Sequence, residues 1–144
     1  MQFNYVKTHD KKQVKAFYKA QGYSAGLKGY DHLFVVMDNQ QVIACAIVSL
    51  IESNSTQALL HGVVVDKNYL RQNIATKLIN FAANQLPRQV VQLVCFSHVK
   101  LKHLYLKSHF VEAKCNELIN TLDSRFKAYQ SKQPELAVFR RSLT

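Results

Sequence analysis

Acidic side chains are scarce in this sequence. Its 144 residues hold nine Asp and Glu against nineteen Lys and Arg, a formal net charge of +10, and no acid lies between Asp66 and Glu112. A cleft built to hold a polyamine needs several carboxylates, so this composition argues against one. The acid-free stretch carries Lys67, Arg71, Lys77, Arg88, Lys100, Lys102 and Lys107. A polyanionic ligand or surface would explain that imbalance, and a generally basic soluble protein would also show it. Long apolar runs are missing too. The longest, Val42 to Ile51, is ten residues, too short to cross a bilayer, so no membrane partner is expected. The N-terminal MQFNYVKTHD lacks the apolar core and cleavage site of a secretory signal. Cysteines number three (Cys45, Cys95 and Cys115), each beside apolar residues, which predicts small buried thiols in a reducing cytoplasm. No Cys/His cluster has zinc-ligand spacing, so no metal is expected. With no repeat, low-complexity tract or linker, the chain reads as one domain over residues 1–144, large enough to bury a core. Nothing in the composition chooses between a monomer and a homodimer.

What is present is an alternation of two periodicities. Gln2 to Val6 reads as a short edge strand, and a helix follows from Asp10, with Val14, Phe17, Tyr18 and Gln21 on one face and Gly22 as its stop. Tyr23 to Asp31 reads as a loop or a short second helix. Strands are expected at His32 to Met37 and Val42 to Ile51 around an Asp38-Asn39-Gln40 turn, then, after a polar turn at Ser53 to Thr56, at Gln57 to Val65. A helix is predicted over Arg71 to Leu86, ended by Pro87, and a strand buried on both faces over Val90 to Phe96. Helix over Val99 to Ser108, strand over Phe110 to Cys115, an amphipathic helix marked by Leu118 to Tyr129 and a strand over Leu136 to Leu143 complete the chain. The expected fold is α/β (α+β), in the order β-α-β-β-β-α-β-α-β-α-β.

The passage from Val65 through Asp66-Lys67-Asn68-Tyr69 to Arg71 joins a strand to a helix N-terminus. Such a junction presents unpaired backbone N–H groups and the positive end of the helix dipole. Helix starts usually gather acids, yet this one carries Arg71 and Lys77, a placement that a bound anion would offset. At this point VVVDKNYLRQNIATKLINF resembles the acetyl-CoA-binding segment of the GNAT superfamily of N-acetyltransferases. The family's pattern of Arg or Gln, two residues, Gly, one residue, then Gly or Ala falls on Leu70, Asn73 and Ala75. Ala75 matches, and Asn73 is among the few residue types that tolerate left-handed backbone angles. HLYLKSHFVEA resembles the family's Phe-Tyr-x-Lys-x-Gly-Phe segment, with Tyr105, Lys107 and Phe110 in register and His109 in place of the glycine.

The resemblance implies a GNAT-like, mixed and mostly antiparallel sheet flanked by helices. It also implies acetyl-CoA as acetyl donor, with an acetyl group moved to a primary amine of a small molecule, peptide or protein by direct attack on the thioester. Arg71, Gln72, Asn73, Ile74, Ala75 and Thr76 would form the pyrophosphate cradle. Val63, Val64 and Val65 would offer backbone bonds to the pantetheine arm and the thioester carbonyl, a role compatible with a plain strand. His98 stands where many members carry an Asn that contacts the cofactor. Tyr105 would serve the leaving thiolate; without the resemblance it reads as a tyrosine on an apolar helix face. No acid lies on the fourth strand, so His61 is the candidate base there, against the alternative of a histidine satisfied within the sheet. Phe17, Tyr18, Tyr23 and Tyr30 fall on the acceptor side. Two rivals share this fold: a basic RNA- or ribosome-associated binding module, suggested by Lys11, Lys12, Lys15 and Lys19, and a non-catalytic acyl-CoA-binding domain.

Overall fold

The computed structural model describes residues 1–6, 11–24, 26–28, 31–52 and 55–143, with Cys115 described by its backbone alone. The expected helix start at Asp10, the residues His9, Gly29 and Tyr30, and the Ser53 turn position lie outside that set. The elements are β1 (Gln2–Val6), α1 (Lys11–Ala20), β2 (His32–Asp38), β3 (Gln41–Leu50), β4 (Gln57–Val65), α2 (Ile74–Ala83), β5 (Gln92–His98), α3 (Lys102–Lys107), β6 (Val111–Glu112), α4 (Asn120–Lys132) and β7 (Leu136–Ser142). The strands hydrogen-bond in the order β1-β2-β3-β4-β5-β7-β6. β4 and β5 run parallel, while β1–β2, β2–β3, β5–β7 and β6–β7 run antiparallel. This is the mixed, mostly antiparallel sheet flanked by helices that was expected, in the expected element order. No helix among the described residues is long and apolar enough to cross a membrane.

The described residues gather into two compact units, Met1–Ser49 with His61–Gln85 and Leu50–Leu60 with Leu86–Thr144. In the first, β2 and β3 close through Asn39 and Gln40, both left-handed (φ 49° and 65°), the geometry that matches the twist of a tight hairpin. Side chains alternate across the strands, so one face differs from the other. Leu33, Val35, Cys45 and Ile47 pack with Val14, Phe17 and Tyr18 of α1. Phe34, from the opposite face of β2, meets Phe81 of α2 with ring centroids 6.1 Å apart, and Phe3 meets the same ring at 5.9 Å. The apolar stripe of α1 therefore buries as its spacing predicts.

A tight contact crosses this unit at Gly62. Its φ is +60°, and a Cβ built there would lie 3.0 Å from Ile47 Cδ1 and 3.0 Å from the Tyr18 hydroxyl. That hydroxyl, buried, donates to Gly62 O at 2.6 Å. Only glycine meets both demands, the left-handed backbone inside a strand and the close approach of α1.

The expected Arg71 to Leu86 helix is shorter, Ile74–Ala83. Arg71 (φ 66°) and Asn73 (φ 58°) are left-handed and cannot extend a right-handed helix. At the other end the Asn84 N–H turns back to Ala82 O and Phe81 O before Pro87 is reached.

In the second unit, Gln57, Ala58, Leu59 and Leu60 of β4 pair with Gln92 to Cys95 of β5, and β5 pairs with β7 from Gln92↔Ser142 to His98↔Leu136. The strand starts two residues later than Val90 because the Val90 N–H closes a turn on Pro87 O. Leu59, Val94 and Val138 pack on Leu118, just before α4, and on Leu122 and Phe126 along it. The expected strand from Phe110 to Cys115 is limited to Val111–Glu112, since the Phe110 N–H folds back to Tyr105 O and Lys114 enters a turn held by Glu117. Buried Gln57 went unnoticed in the sequence. Its amide donates to Gln92 Oε1 (2.7 Å) and Glu117 O (2.8 Å) and accepts from Ile119 N–H (2.8 Å), tying the start of β4 to the start of α4.

Gly62→Ala should destabilise the chain by about 2 kcal/mol or more, through left-handed strain and the crowded Tyr18 hydroxyl. For a chain of this length that lowers Tm by roughly 5 °C or more, read by thermal denaturation. An unchanged Tm would show that this contact is not needed.

Candidate functional site

After β4 the chain turns sharply. The Asp66 N–H donates to Ile43 O at 2.7 Å, and Asp66 Oδ1 accepts the Asn68 N–H at 2.8 Å, starting a 3-10 turn over Lys67–Tyr69. Leu70 is extended and solvent-exposed; Arg71, Gln72 and Asn73 are exposed as well. Ile74 is buried and anchors the first turn of α2. The residue at the motif's glycine position, Asn73, is left-handed (φ 58°, ψ 23°), as its side-chain type allows. Arg71 is left-handed too, and no sequence signal gave that away, because arginine rarely occupies this region.

The result is an open set of donors. The first intrahelical bond runs from Lys77 N–H to Asn73 O at 3.1 Å, so Ile74, Ala75 and Thr76 have no carbonyl one turn back for their amides. No side chain caps these groups, and the first turn holds no acid. The buried Thr76 hydroxyl has no hydrogen-bond partner within the protein. Orphan amides, an orphan hydroxyl, the helix dipole and the Arg71 and Lys77 charges all favour an anion at one place.

Upstream on β4, Val63, Val64 and Val65 are half-buried, and Val64 leans on the α1-side core. They lie beyond the four residues of β4 that pair with β5. His61, on the same strand, is half-buried, and its Nε2 lies 2.7 Å from Ser49 Oγ. Thus His61, Val63 to Val65 and the six cradle residues form one continuous passage within the first unit.

Tyr105 and His98 belong to the second unit. Tyr105 is buried, stacked on Phe139 (5.3 Å, 18°) and set edge-on to Phe110 (5.6 Å, 76°). Burial pushes the Cys95 thiol up to about 12 despite a hydrogen bond with the Tyr105 side chain, which lowers it, and burial alone pushes the Cys45 thiol up to about 12. Both cysteines are free and buried, as expected of them; the Cys115 side chain is outside the described set. His98 ends β5, with Nδ1 accepting the Lys100 N–H (3.1 Å) and Nε2 paired with Glu135 at 2.5 Å. It is therefore a capping residue, and contact with a ligand would use its ring face or replace one of these bonds. His109, at the second motif's glycine position, is left-handed (φ 69°). Its N–H reaches Leu106 O and the Phe110 N–H reaches Tyr105 O at 2.9 Å, a Schellman end to α3. Among the described residues no group of three or more His, Cys, Asp or Glu is placed to hold a metal ion.

Comparison with known proteins places this architecture. The profile of the acetyltransferase (GNAT) domain matches residues 29–112, more than half of the chain, and the protein belongs to that family. Its structure is similar to N-acetylglutamate synthase from Neisseria gonorrhoeae complexed with coenzyme A and N-acetyl-glutamate, with a TM-score of 0.74 and 14% identity, over 99% of this chain. The chain spans only 35% of that synthase. It is also similar to Tetrahymena GCN5 (TM-score 0.72, 12% identity, 100% of this chain and 97% of that one). A spermidine N-acetyltransferase chimera from Vibrio cholerae gives 0.69 and 14%, over 99% and 97%. No curated protein sequence matches the chain significantly.

The buried thiols yield a check on the second unit and the α1-side core. With a pKa near 12, roughly 10⁻⁴ of each thiol is ionised at pH 8. Cys45 and Cys95 should escape alkylation in the native protein and react fully in denaturant, as read by peptide mass spectrometry. Rapid native labelling of either would contradict the burial described.

Proposed function

We propose that this chain is an acetyl-CoA-dependent N-acetyltransferase that moves an acetyl group to the primary amine of a small molecule, a peptide or a protein. The observation that carries the reading is the left-handed turn at Arg71–Asn73, which opens onto the bare amides of Ile74, Ala75 and Thr76. The unpartnered Thr76 hydroxyl and the acid-free first turn fit a pyrophosphate there. Family membership supports the assignment, as does the likeness in fold to a synthase solved with coenzyme A.

Acetyl-CoA supplies an activated acyl carbon whose leaving group is a thiolate. Amides of residues 71–76 bind and orient the pyrophosphate, and Arg71 and Lys77 offset its charge. On β4, the backbone at Val63 to Val65 offers donors to the pantetheine arm and to the thioester oxygen, where negative charge develops. His61 takes a proton from the incoming amine, and Tyr105 holds or supplies a proton at the departing sulfur. His98, at the end of β5, enters this reading as a candidate cofactor contact that the family resemblance implies.

We read the acceptor side as unsuited to a polyamine. A cleft of about 430 Å³ beside α1 is lined by Lys15, Tyr18, Lys19, Gly22, Tyr23 and Ser24, with no carboxylate among the described lining residues. Tyr23 keeps its aromatic surface exposed there, whereas Phe17 and Tyr18 are spent on the core. Such a lining suits an amine with no second cationic centre.

Coenzyme A and acetyl-CoA should both raise Tm by several degrees, since binding to the native state adds to apparent stability. Calorimetry should find that Asn73→Gly keeps or improves coenzyme A affinity, while Asn73→Val, a β-branched residue forced left-handed, weakens it by roughly tenfold or more. Equal affinity in both variants, or no thermal shift with millimolar coenzyme A, would overturn the cradle.

Tyr105→Phe removes one hydroxyl and leaves both ring contacts in place. Turnover with an amine found by screening should fall by roughly 10²-fold, with acetyl-CoA affinity little changed. Undiminished turnover in a folded variant would leave Tyr105 a packing residue of the Phe110–Phe139 cluster.

A further inference from the structure

Behind His61 stands a chain of polar groups that the family pattern did not call for. Asp31 is buried with 9% of its surface exposed, and Ser49 with 8%. The Ser49 hydroxyl donates to Asp31 Oδ1 at 2.7 Å, and Asp31 Oδ2 accepts the Lys28 N–H at 2.9 Å. A serine hydroxyl has one proton. Since Ser49 gives its proton to the carboxylate, its oxygen can only accept from His61, across the 2.7 Å to Nε2. His61 is therefore the Nε2–H tautomer, and in the neutral ring the lone pair sits on Nδ1. All three residues lie on strands, or at the start of one: Asp31 directly before β2, Ser49 near the end of β3, His61 within β4. Its two donors among the described residues, the Ser49 hydroxyl and the Lys28 N–H, are neutral, and a buried carboxylate held in that way is costly unless it serves some purpose. Here its negative charge is relayed through one hydroxyl to an imidazole.

We infer that Asp31 and Ser49 are positioning residues that fix His61 with Nδ1 as its proton acceptor, and that Asp31 stabilises the imidazolium formed when Nδ1 takes a proton. The inference rests on the acetyltransferase reading. In that reaction the acceptor ammonium gives one proton to His61 Nδ1, and its freed electron pair forms the bond to the acyl carbon. The carbon–sulfur bond breaks with its pair on sulfur, which is protonated from Tyr105 or water, and the acylated nitrogen gives up its second proton to the oxygen that lost one. Imidazolium then returns its proton to solvent. Nε2–H stays bonded to Ser49 throughout, so the ring does not turn between steps. His32, the neighbouring imidazole, is engaged instead with the Tyr5 hydroxyl and stands outside this relay.

The test reads the tautomer and the turnover separately. Long-range ¹H–¹⁵N correlation on labelled protein should show His61 as Nε2–H in the wild type. Asp31→Asn should reverse it. The Lys28 N–H needs an acceptor, so the new amide points its oxygen there and its NH₂ at Ser49, whose hydroxyl then donates to Nε2 and moves the ring proton to Nδ1. That variant, and Ser49→Ala, should lower kcat by roughly tenfold or more with KM for acetyl-CoA little changed, within the roughly 10²–10⁴-fold that a positioned base contributes. Ser49→Thr, which keeps the hydroxyl, should restore most of the loss. An Nδ1–H tautomer in the wild type overturns the relay whatever the activity. So does a folded Asp31→Asn or Ser49→Ala with unaltered kcat. Absence of transfer by the wild type across an amine panel, with acetyl-CoA present, would instead overturn the acetyltransferase reading beneath it.

Discussion

The passage from β4 into α2 depends on a backbone that reverses its hand. Two residues at φ near +60°, Arg71 and Asn73, end the extended chain and launch a right-handed helix without a capping side chain. A left-handed residue that is not glycine costs on the order of 1–2 kcal/mol, so the turn is maintained against its own preference. Ile74, buried as the first helical residue, and Asp66, bonded to its own turn, hold it from both sides. What the strain provides is a group of amides with nothing to bond to inside the protein. A capped helix start would be more stable and would have no room for an anion.

Elsewhere in the same unit polar atoms are treated in the opposite way. The Tyr18 hydroxyl is buried, held far above its ordinary pKa by that burial first and by its neighbours Cys45 and Tyr23, and is satisfied by Gly62 O. Asp31 and Ser49 are buried and satisfied by one another and by Lys28. In the second unit Gln57 uses three hydrogen bonds to fix the start of α4. Buried polar groups that are fully paired specify a single arrangement. Against that background the buried Thr76 hydroxyl, beside the amides of the first turn of α2, is an exception with no partner within the protein.

Tyr105 shows how one residue answers two demands. Its ring fills the space between Phe110 and Phe139, and its hydroxyl reaches the Cys95 sulfur. The stacking alone suffices to retain an aromatic residue here. Packing explains the ring, and the hydrogen bond to buried Cys95 accounts for the hydroxyl.

The amino-acid sequence by itself determined the element order, the hairpin at Asn39–Gln40, the apolar face of α1 and the place where an anion would sit. These follow from local rules: period, turn residues, and the absence of acid across one strand-to-helix junction. It put at the motif's glycine position an Asn, a residue type that tolerates the left-handed region Asn73 adopts, and His109 took the same hand at the other motif's glycine position. Tertiary structure alone decided the rest. The left-handed Arg71 and the early end of α2 depend on how the whole turn is held, and no propensity announces them. Gly62 reads as an ordinary strand glycine until Tyr18, forty-four positions away, is found against it. Asp31, Ser49 and His61 are separated by 18 and 12 residues, and nothing periodic connects them. Hydrogen bonds between strands join atoms that are distant in the chain, so only the folded sheet reveals which polar side chains share a proton.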